Sequence, residues 1–213
     1  MKLFIALISL SLFTSNCFGK GLEIGDHRDR LLIGAKIGSN YSNVYDEQGQ
    51  DFVADPKFGL AFGAFAAIPI GKLFGIQPEF LLSRKGFKAN GSILGSSYQL
   101  TRTTTYIDVP IMFQLKPVSF LTLLAGPQYS YLVKQNDVFT NSLTSYAQEQ
   151  EFKHDNVRKN IMSLICGADI GINQVVVGVR LAWDVQNNVG DGTSTTPRYK
   201  NIWYQATFGY RFL

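Results

Sequence analysis

The chain has 213 residues, 46% of them hydrophobic and 17% charged, with a formal net charge of +4 and two cysteines. Its apolar content excludes intrinsic disorder, and two cysteines exclude a disulfide-built scaffold. The charge is too small and scattered for a nucleic-acid surface. An average protein is about 25% charged, so this one has few groups with which to meet water. Twenty Gly, 16 Phe and 10 Tyr point to an aromatic-rich β protein.

Residues 1–19 read as a secretory signal. Lys2 supplies the positive start, Leu3 to Phe13 the apolar stretch, and Cys17-Phe18-Gly19 the small residues at a cleavage site. The alternatives are a buried first helix or a lipoprotein acylated at Cys17, but Thr14-Ser15-Asn16 lacks the usual residues before such a cysteine. With Cys17 removed, Cys166 is the one cysteine left and sits in an apolar strand pattern. Residues 20–30 form a polar periplasmic leader and 31–213 the remaining domain.

Beyond the signal, no segment has the roughly 20 apolar residues of a membrane helix. The dominant pattern has a period of two, so side chains alternate between two faces of a strand. It begins with Ile33, Ala35, Ile37 and Tyr41, then runs through Phe58 to Ile70 and Phe74 to Leu82. It returns in Ile107 to Leu115, Leu121 to Val133, Met162 to Ile172, Val175 to Val185 and Ile202 to Phe212. That makes eight strands of about 9 to 13 residues, the length of a tilted membrane-crossing strand.

The connections alternate as well. Gly71-Lys72, Lys116-Pro117-Val118-Ser119 and Asn173-Gln174 are short turns, whereas the other links run to about 16, 15 or more, 25 and 14 polar residues. Short turns at one end and long loops at the other mark an outer-membrane barrel. The fold expected is therefore all-β: an eight-stranded antiparallel transmembrane up-and-down barrel with both termini at the short-turn end.

A soluble, lipocalin-like carrier has the same alternation with its apolar face inward. Charge sorts the faces. Within the strands the apolar faces carry only Arg84, while the opposite faces carry Lys36, Glu79, Lys85, Asp108, Lys116, Asp169, Arg180, Asp184 and Arg211. Such a set suits a lumen in which cations meet carboxylates, and the glycines on those faces leave room for long side chains. The apolar faces then meet lipid. Tyr41, Phe58, Phe74, Tyr129, Tyr131, Trp183, Tyr204 and Phe212 fit interfacial girdles toward the strand ends.

Catalytic chemistry is sparse. His27 and His154 have no partner at ligand or triad spacing, and no phosphate loop, zinc spacing or nucleophile elbow occurs. The expectation is a protein without catalytic, cofactor or metal residues, whose polar lumen network is Lys36, Glu79, Lys85, Asp108, Asp169, Arg180, Asp184 and Arg211. Eight strands enclose only enough space for their own side chains, so no open pore is expected. The segment Lys134 to Lys159 is the leading candidate for partner contact because of its length.

Four runs carry a family resemblance. They are Gly34-Ala-Lys-Ile-Gly-Ser-Asn-Tyr-Ser-Asn-Val, Ile76-Gln-Pro-Glu-Phe-Leu-Leu-Ser-Arg-Lys-Gly, Tyr106-Ile-Asp-Val-Pro-Ile-Met-Phe-Gln and Leu124-Ala-Gly-Pro-Gln-Tyr-Ser-Tyr-Leu. With the aromatic last strand, residues 30–213 resemble the PorT-like outer-membrane β-barrel proteins of Bacteroidetes-type bacteria. The resemblance implies an integral outer-membrane protein, and its founding member is linked to a dedicated export system. The chain departs from the usual barrel ending in that Phe212 is followed by Leu213.

The leading expectation is a monomer with a closed lumen and a structural or interaction role, in protein secretion or envelope integrity. Its partners would be outer-membrane lipid, the barrel-assembly machinery during insertion, and envelope or secretion proteins, with no nucleic acid. A barrel enzyme acting on lipid or peptide is the alternative.

Overall fold

A computed structural model describes residues 26–48, 53–93, 96–141, 145–150, 158–188 and 198–212. The expected signal at 1–19, the first part of the leader, Cys17 and His154 lie outside them. The strands are β1 (Leu32–Gln48), β2 (Val53–Pro69), β3 (Phe74–Ile93), β4 (Ser96–Val118), β5 (Leu121–Asn141), β6 (Ser145–Gln150), β7 (Asn160–Ile172), β8 (Val175–Asp184) and β9 (Arg198–Arg211).

Eight of them close a barrel. The sheet runs β4-β3-β2-β1-β9-β8-β7-β5, and β5 returns to pair with β4. All of these pairings are antiparallel. The closing seam joins β1 to β9 from Gly34↔Arg211 to Gln48↔Arg198. In hydrocarbon an unpaired strand edge costs several kcal/mol per exposed polar group, and closure removes every edge at membrane depth.

Two of the three short connections fall where expected; at the third, β4 runs on through Val118 and the turn is Ser119-Phe120. Gly71 supplies a φ of 115° between β2 and β3, and Asn173 one of 53° between β7 and β8. Glycine and asparagine tolerate this left-handed region, which tight hairpin turns require.

Alternation decides the two faces. Ile37, Phe58, Leu60, Phe62, Phe80, Ile111, Val179 and Phe208 stand more than half exposed on the outside, while Lys36, Glu79, Lys85, Asp108, Asp169, Arg180 and Asp184 are buried inside. An apolar exterior around a polar interior is the arrangement that lipid solvates. From Leu31 to Tyr41 the outward wall stays apolar or small. Ten residue steps of roughly 3.3 Å at a tilt near 40° span about 25 Å, the thickness of the lipid-facing band.

Several strands are longer than the 9 to 13 residues expected, up to 23 in β4. Polar residues such as Thr101, Thr103 and Thr105 continue the ladder past the apolar band, because strand pairing needs backbone partners rather than a hydrophobic face. The expected long loops are therefore partly raised hairpins: β1 and β2 are separated by residues 49–52, and β3 and β4 by residues 94–95. The Lys134 to Lys159 segment contains the end of β5 and a ninth strand, β6, paired with it from Gln135↔Gln150 to Thr140↔Ser145.

On the long-loop side the aromatics stand short of the strand ends, whereas on the short-turn side they lie at them. Tyr41 and Phe58 touch at 4.8 Å between ring centroids near the upper edge of the band, with both strands continuing beyond them. Phe74 with Phe113, and Tyr210 with Phe212, form contacts of 5.5 and 5.8 Å at the short-turn end.

Candidate functional site

The lumen is filled in layers. In the lower half, β1 directs Lys36 at Glu79 of β3, with Nζ 2.5 Å from Oε1, and both side chains are buried. Gln77 donates to the same oxygen at 2.6 Å and accepts from Gln114 of β4 at 2.5 Å. From β8, Arg180 lies 3.8 Å from Glu79 and grips Asp169 of β7 at 2.7 and 2.8 Å. Two cations and two carboxylates from four strands thus neutralise one another. Such matching is essential here, because an unpaired buried charge costs several kcal/mol.

At mid-height lies a second pair, Lys85 of β3 with Asp108 of β4 at 2.9 Å. The Lys85 ammonium also sits 3.6 Å from the centroid of Trp203 and 4.8 Å from that of Tyr106. A desolvated cation against an aromatic face gains about 2 kcal/mol. Trp203 is 1% exposed and packs with Met112, Leu124, Ile165 and Ala182, an apolar plug across the lumen.

Asp184 and Arg211 stand outside these ion pairs. Asp184 accepts from Ser163 at 2.7 Å and from the side chain and backbone N–H of Asn201 at 2.5 and 3.1 Å. Arg211 lies at the short-turn end with Lys116, and neither is ion-paired among the described residues. Gly171 and Gly178 do leave room for long neighbours: a Cβ on Gly171 would stand 2.5 Å from the Arg211 guanidinium, and one on Gly178 would strike the Asp169 carboxylate.

Sequence reasoning missed a third pair, above the membrane. Arg102 of β4 makes a two-pronged contact with Asp137 of β5 at 2.9 and 2.8 Å, with Gln135 donating to the same carboxylate at 3.1 Å. The rings of Phe87 and Tyr199 lie 5.9 Å from the guanidinium. Those rings pack with Val44, Ala89 and Leu100, which closes the upper lumen. The cause is a bulge: Thr105 pairs with Lys134 but Tyr106 with Leu132, so Val133 is skipped and the inward parity of β5 changes.

A different irregularity is sealed by side chains. Regular β2–β3 pairing lapses between Pro56 and Ala61. Asn40 and Ser42 of β1 reach past β2 to donate to the carbonyls of Arg84 and Gly86 at 2.9 and 2.8 Å. Backbone acceptors that a strand would have satisfied are thus satisfied from the lumen.

At the short-turn end the leader folds back. Lys116 Nζ donates to the Arg28 carbonyl at 3.0 Å. Arg28 forks onto Asp26 at 2.8 and 2.9 Å and holds that carboxyl well below the usual carboxylate range. His27 sits here without a metal-binding set; among the described residues no three His, Cys, Asp or Glu side chains gather for an ion. Cys166 is half-buried on the outward parity of β7, away from the luminal charges.

A lipid-solvated wall, a filled polar lumen, and strands raised on the long-loop side define an integral membrane β-barrel that crosses by eight strands. The family model described as "Outer membrane protein beta-barrel domain" matches residues 24–190, and the chain belongs to that family. It is an outer-membrane protein, with the short turns on the periplasmic side.

The fold is similar to Ail, the attachment invasion locus protein of Yersinia pestis, at 14% identity and a TM-score of 0.44, covering 85% of this chain and 98% of that one. It is also similar to Neisserial surface protein A, at 8% identity and a TM-score of 0.48, covering 84% and 97%. A third likeness is to the outer membrane protease OmpT of Escherichia coli, at 12% identity and a TM-score of 0.36, covering 85% and 95%. No curated protein matches the chain.

Proposed function

We propose that this protein is a closed, non-enzymatic barrel of the PorT-like branch, which serves protein secretion or envelope integrity through its raised extracellular strands. The observation that carries this reading is the extension of β3, β4, β5 and β6 beyond the apolar band. From Thr105 to Ser96, β4 alone rises roughly 20 Å above it. Such a raised sheet is an expensive structure for a protein that needs only to fill the membrane.

Among the described residues β6 pairs with β5 and no other strand, so its second edge offers backbone donors and acceptors to an extended partner segment. The Arg102–Asp137 pair and its aromatic neighbours hold the base of the sheet rigid. The PorT-like assignment rests on the four sequence runs, and the non-enzymatic reading on luminal carboxylates already engaged by cations or amides. Envelope or secretion proteins are the partners proposed, bound to a monomeric barrel in outer-membrane lipid after delivery by the barrel-assembly machinery.

The test is to replace residues 135–150 by a short Gly-Ser link and compare, in detergent, what co-purifies with each form. The partners of the parent should disappear while the heat-modifiable gel mobility of a closed barrel persists. An unchanged partner profile would refute the role of the raised sheet. A secreted proteome unchanged by gene deletion would remove secretion, and stable conductance in planar bilayers would overturn the closed lumen.

A further inference from the structure

The periplasmic mouth breaks the rule that governs the rest of the lumen. Lys116 is buried there, and Arg211 from the last strand shares the space, yet neither is ion-paired among the described residues. Arg28 of the leader closes over them, but its charge is already matched by Asp26. Arg211 lies against the bare backbone of Gly171, and among the described residues its one hydrogen bond is to the Asn173 carbonyl, at 3.5 Å. Its Nε is buried without a hydrogen-bond partner, as is the Oε1 atom of the neighbouring Gln114. Between these groups lies a cavity of about 20 Å³, lined among others by Arg28, Gln114, Lys116, Ser119, Thr122 and Arg211.

Two cations in one low-dielectric mouth repel, and each buried donor left unmade adds to the cost. The other buried luminal cations among the described residues, Lys36, Lys85, Arg102 and Arg180, each have a carboxylate. The chemistry the mouth lacks is a compact group of about two negative charges with several acceptor oxygens. The planar guanidinium fork of Arg211, the ammonium of Lys116 and two hydroxyls suit such a group.

We propose that the periplasmic mouth is a binding site for a phosphate-class oxyanion. Hydrogen phosphate balances the charges of Lys116 and Arg211 and accepts from Arg211 Nε. Its own O–H supplies the donor that Gln114 Oε1 lacks. The cavity opens to the periplasm; free hydrogen phosphate presents all of this chemistry, whereas the phosphodiester of an inner-leaflet lipid headgroup shares with it the acceptor oxygens and one negative charge but has no O–H for Gln114. The site stands at the opposite end of the barrel from the raised sheet and does not depend on the role proposed for that sheet.

The full chain is refolded in a maltoside detergent, which contains no phosphate, and inorganic phosphate is titrated at constant ionic strength against chloride. The readouts are the NMR signal of Arg211 Nε–H and the thermal midpoint. Free phosphate as the source predicts a saturable displacement of that signal and a rising midpoint. The variants Lys116→Met and Arg211→Gln, checked for heat-modifiable mobility, should then need about tenfold more phosphate for the same stabilisation. A lipid source predicts no response in micelles, but a phosphorus contact to Arg211 Nε–H in phospholipid nanodiscs that disappears in Lys116→Met. The proposal is overturned if chloride acts equally, if the variants respond like the parent, or if neither medium gives a response.

Discussion

Replacing Glu79 by Gln removes the carboxylate that faces two cations in the lower lumen, and it should cost about 3–5 kcal/mol of stability. At an effective dielectric near 20, the separations of 2.5 Å to Lys36 and 3.8 Å to Arg180 give gross attractions of about 7 and 4 kcal/mol. Part of that loss is offset because the amide no longer has to be stripped of water as a charge. Arg180 also keeps Asp169. Lys36 keeps the Phe65 ring, 4.9 Å away, but loses its ion-pair partner, and that undercompensated ammonium is the source of the penalty. Lys36→Met should cost a similar amount, whereas the double variant K36M/E79Q should return to within about 1 kcal/mol of the parent. The assay is urea unfolding of the refolded barrel in micelles, read from tryptophan fluorescence; Trp203 is a buried reporter higher in the same lumen. A single variant within about 1 kcal/mol of the parent at unchanged denaturant slope would refute the reasoning, since it would mean that water solvates Glu79.

The direction of the wall gives a second prediction. Phe80→Arg, on the lipid face, should destabilise by about 2–4 kcal/mol in bilayers, while Gln99→Arg, exposed above the apolar band, should change stability by less than about 1 kcal/mol; equal effects would refute the placement of the band. Arg102→Met should leave the membrane-spanning barrel closed by gel mobility but increase protease cleavage in the β5–β6 hairpin, because Asp137 loses its two-pronged partner. Asp26, held by Arg28 with its titration shifted downward, contributes its contact above the usual carboxylate range and loses it only at lower pH. The Arg28 Nε–H signal should therefore be unchanged between neutrality and about pH 4, where an ordinary exposed aspartate is half protonated.

Much of this architecture is readable from parity, and the failures have physical causes. Arg84 and Lys85 are neighbours in sequence, yet alternation alone sends one outward and the other to Asp108. Choosing that partner requires the register between strands, which no single strand encodes. Arg102, Asp137 and Tyr199 were hidden because their segments are polar and look like loops, although they are paired strands. The bulge at Val133 compounds this: counting onward by twos from Tyr129 and Tyr131 puts Asp137 on the outer face, whereas the skipped residue turns it inward. The uncompensated pair Lys116 and Arg211 was visible as inward charge. Only the folded arrangement reveals that, among the described residues, neither is ion-paired.

The seam between the first and last strands has a bearing on how the molecule is made. Its partners, such as Ile37 and Phe208, are separated by nearly the whole chain, so this ladder forms only after β9 has been delivered. Contacts so distant in sequence are slow to find. Until then the free sides of β1 and β8 expose rows of peptide groups that oil cannot satisfy. Strand-by-strand insertion into bare lipid is therefore forbidden energetically. The ring must either be completed as it enters, or its two open borders must be occupied by something else while the chain waits for its end. The final segment, residues 198–211, thus acts as the clasp of the ring, and a chain truncated before it would have seven of the ring's eight strands and no way to shut.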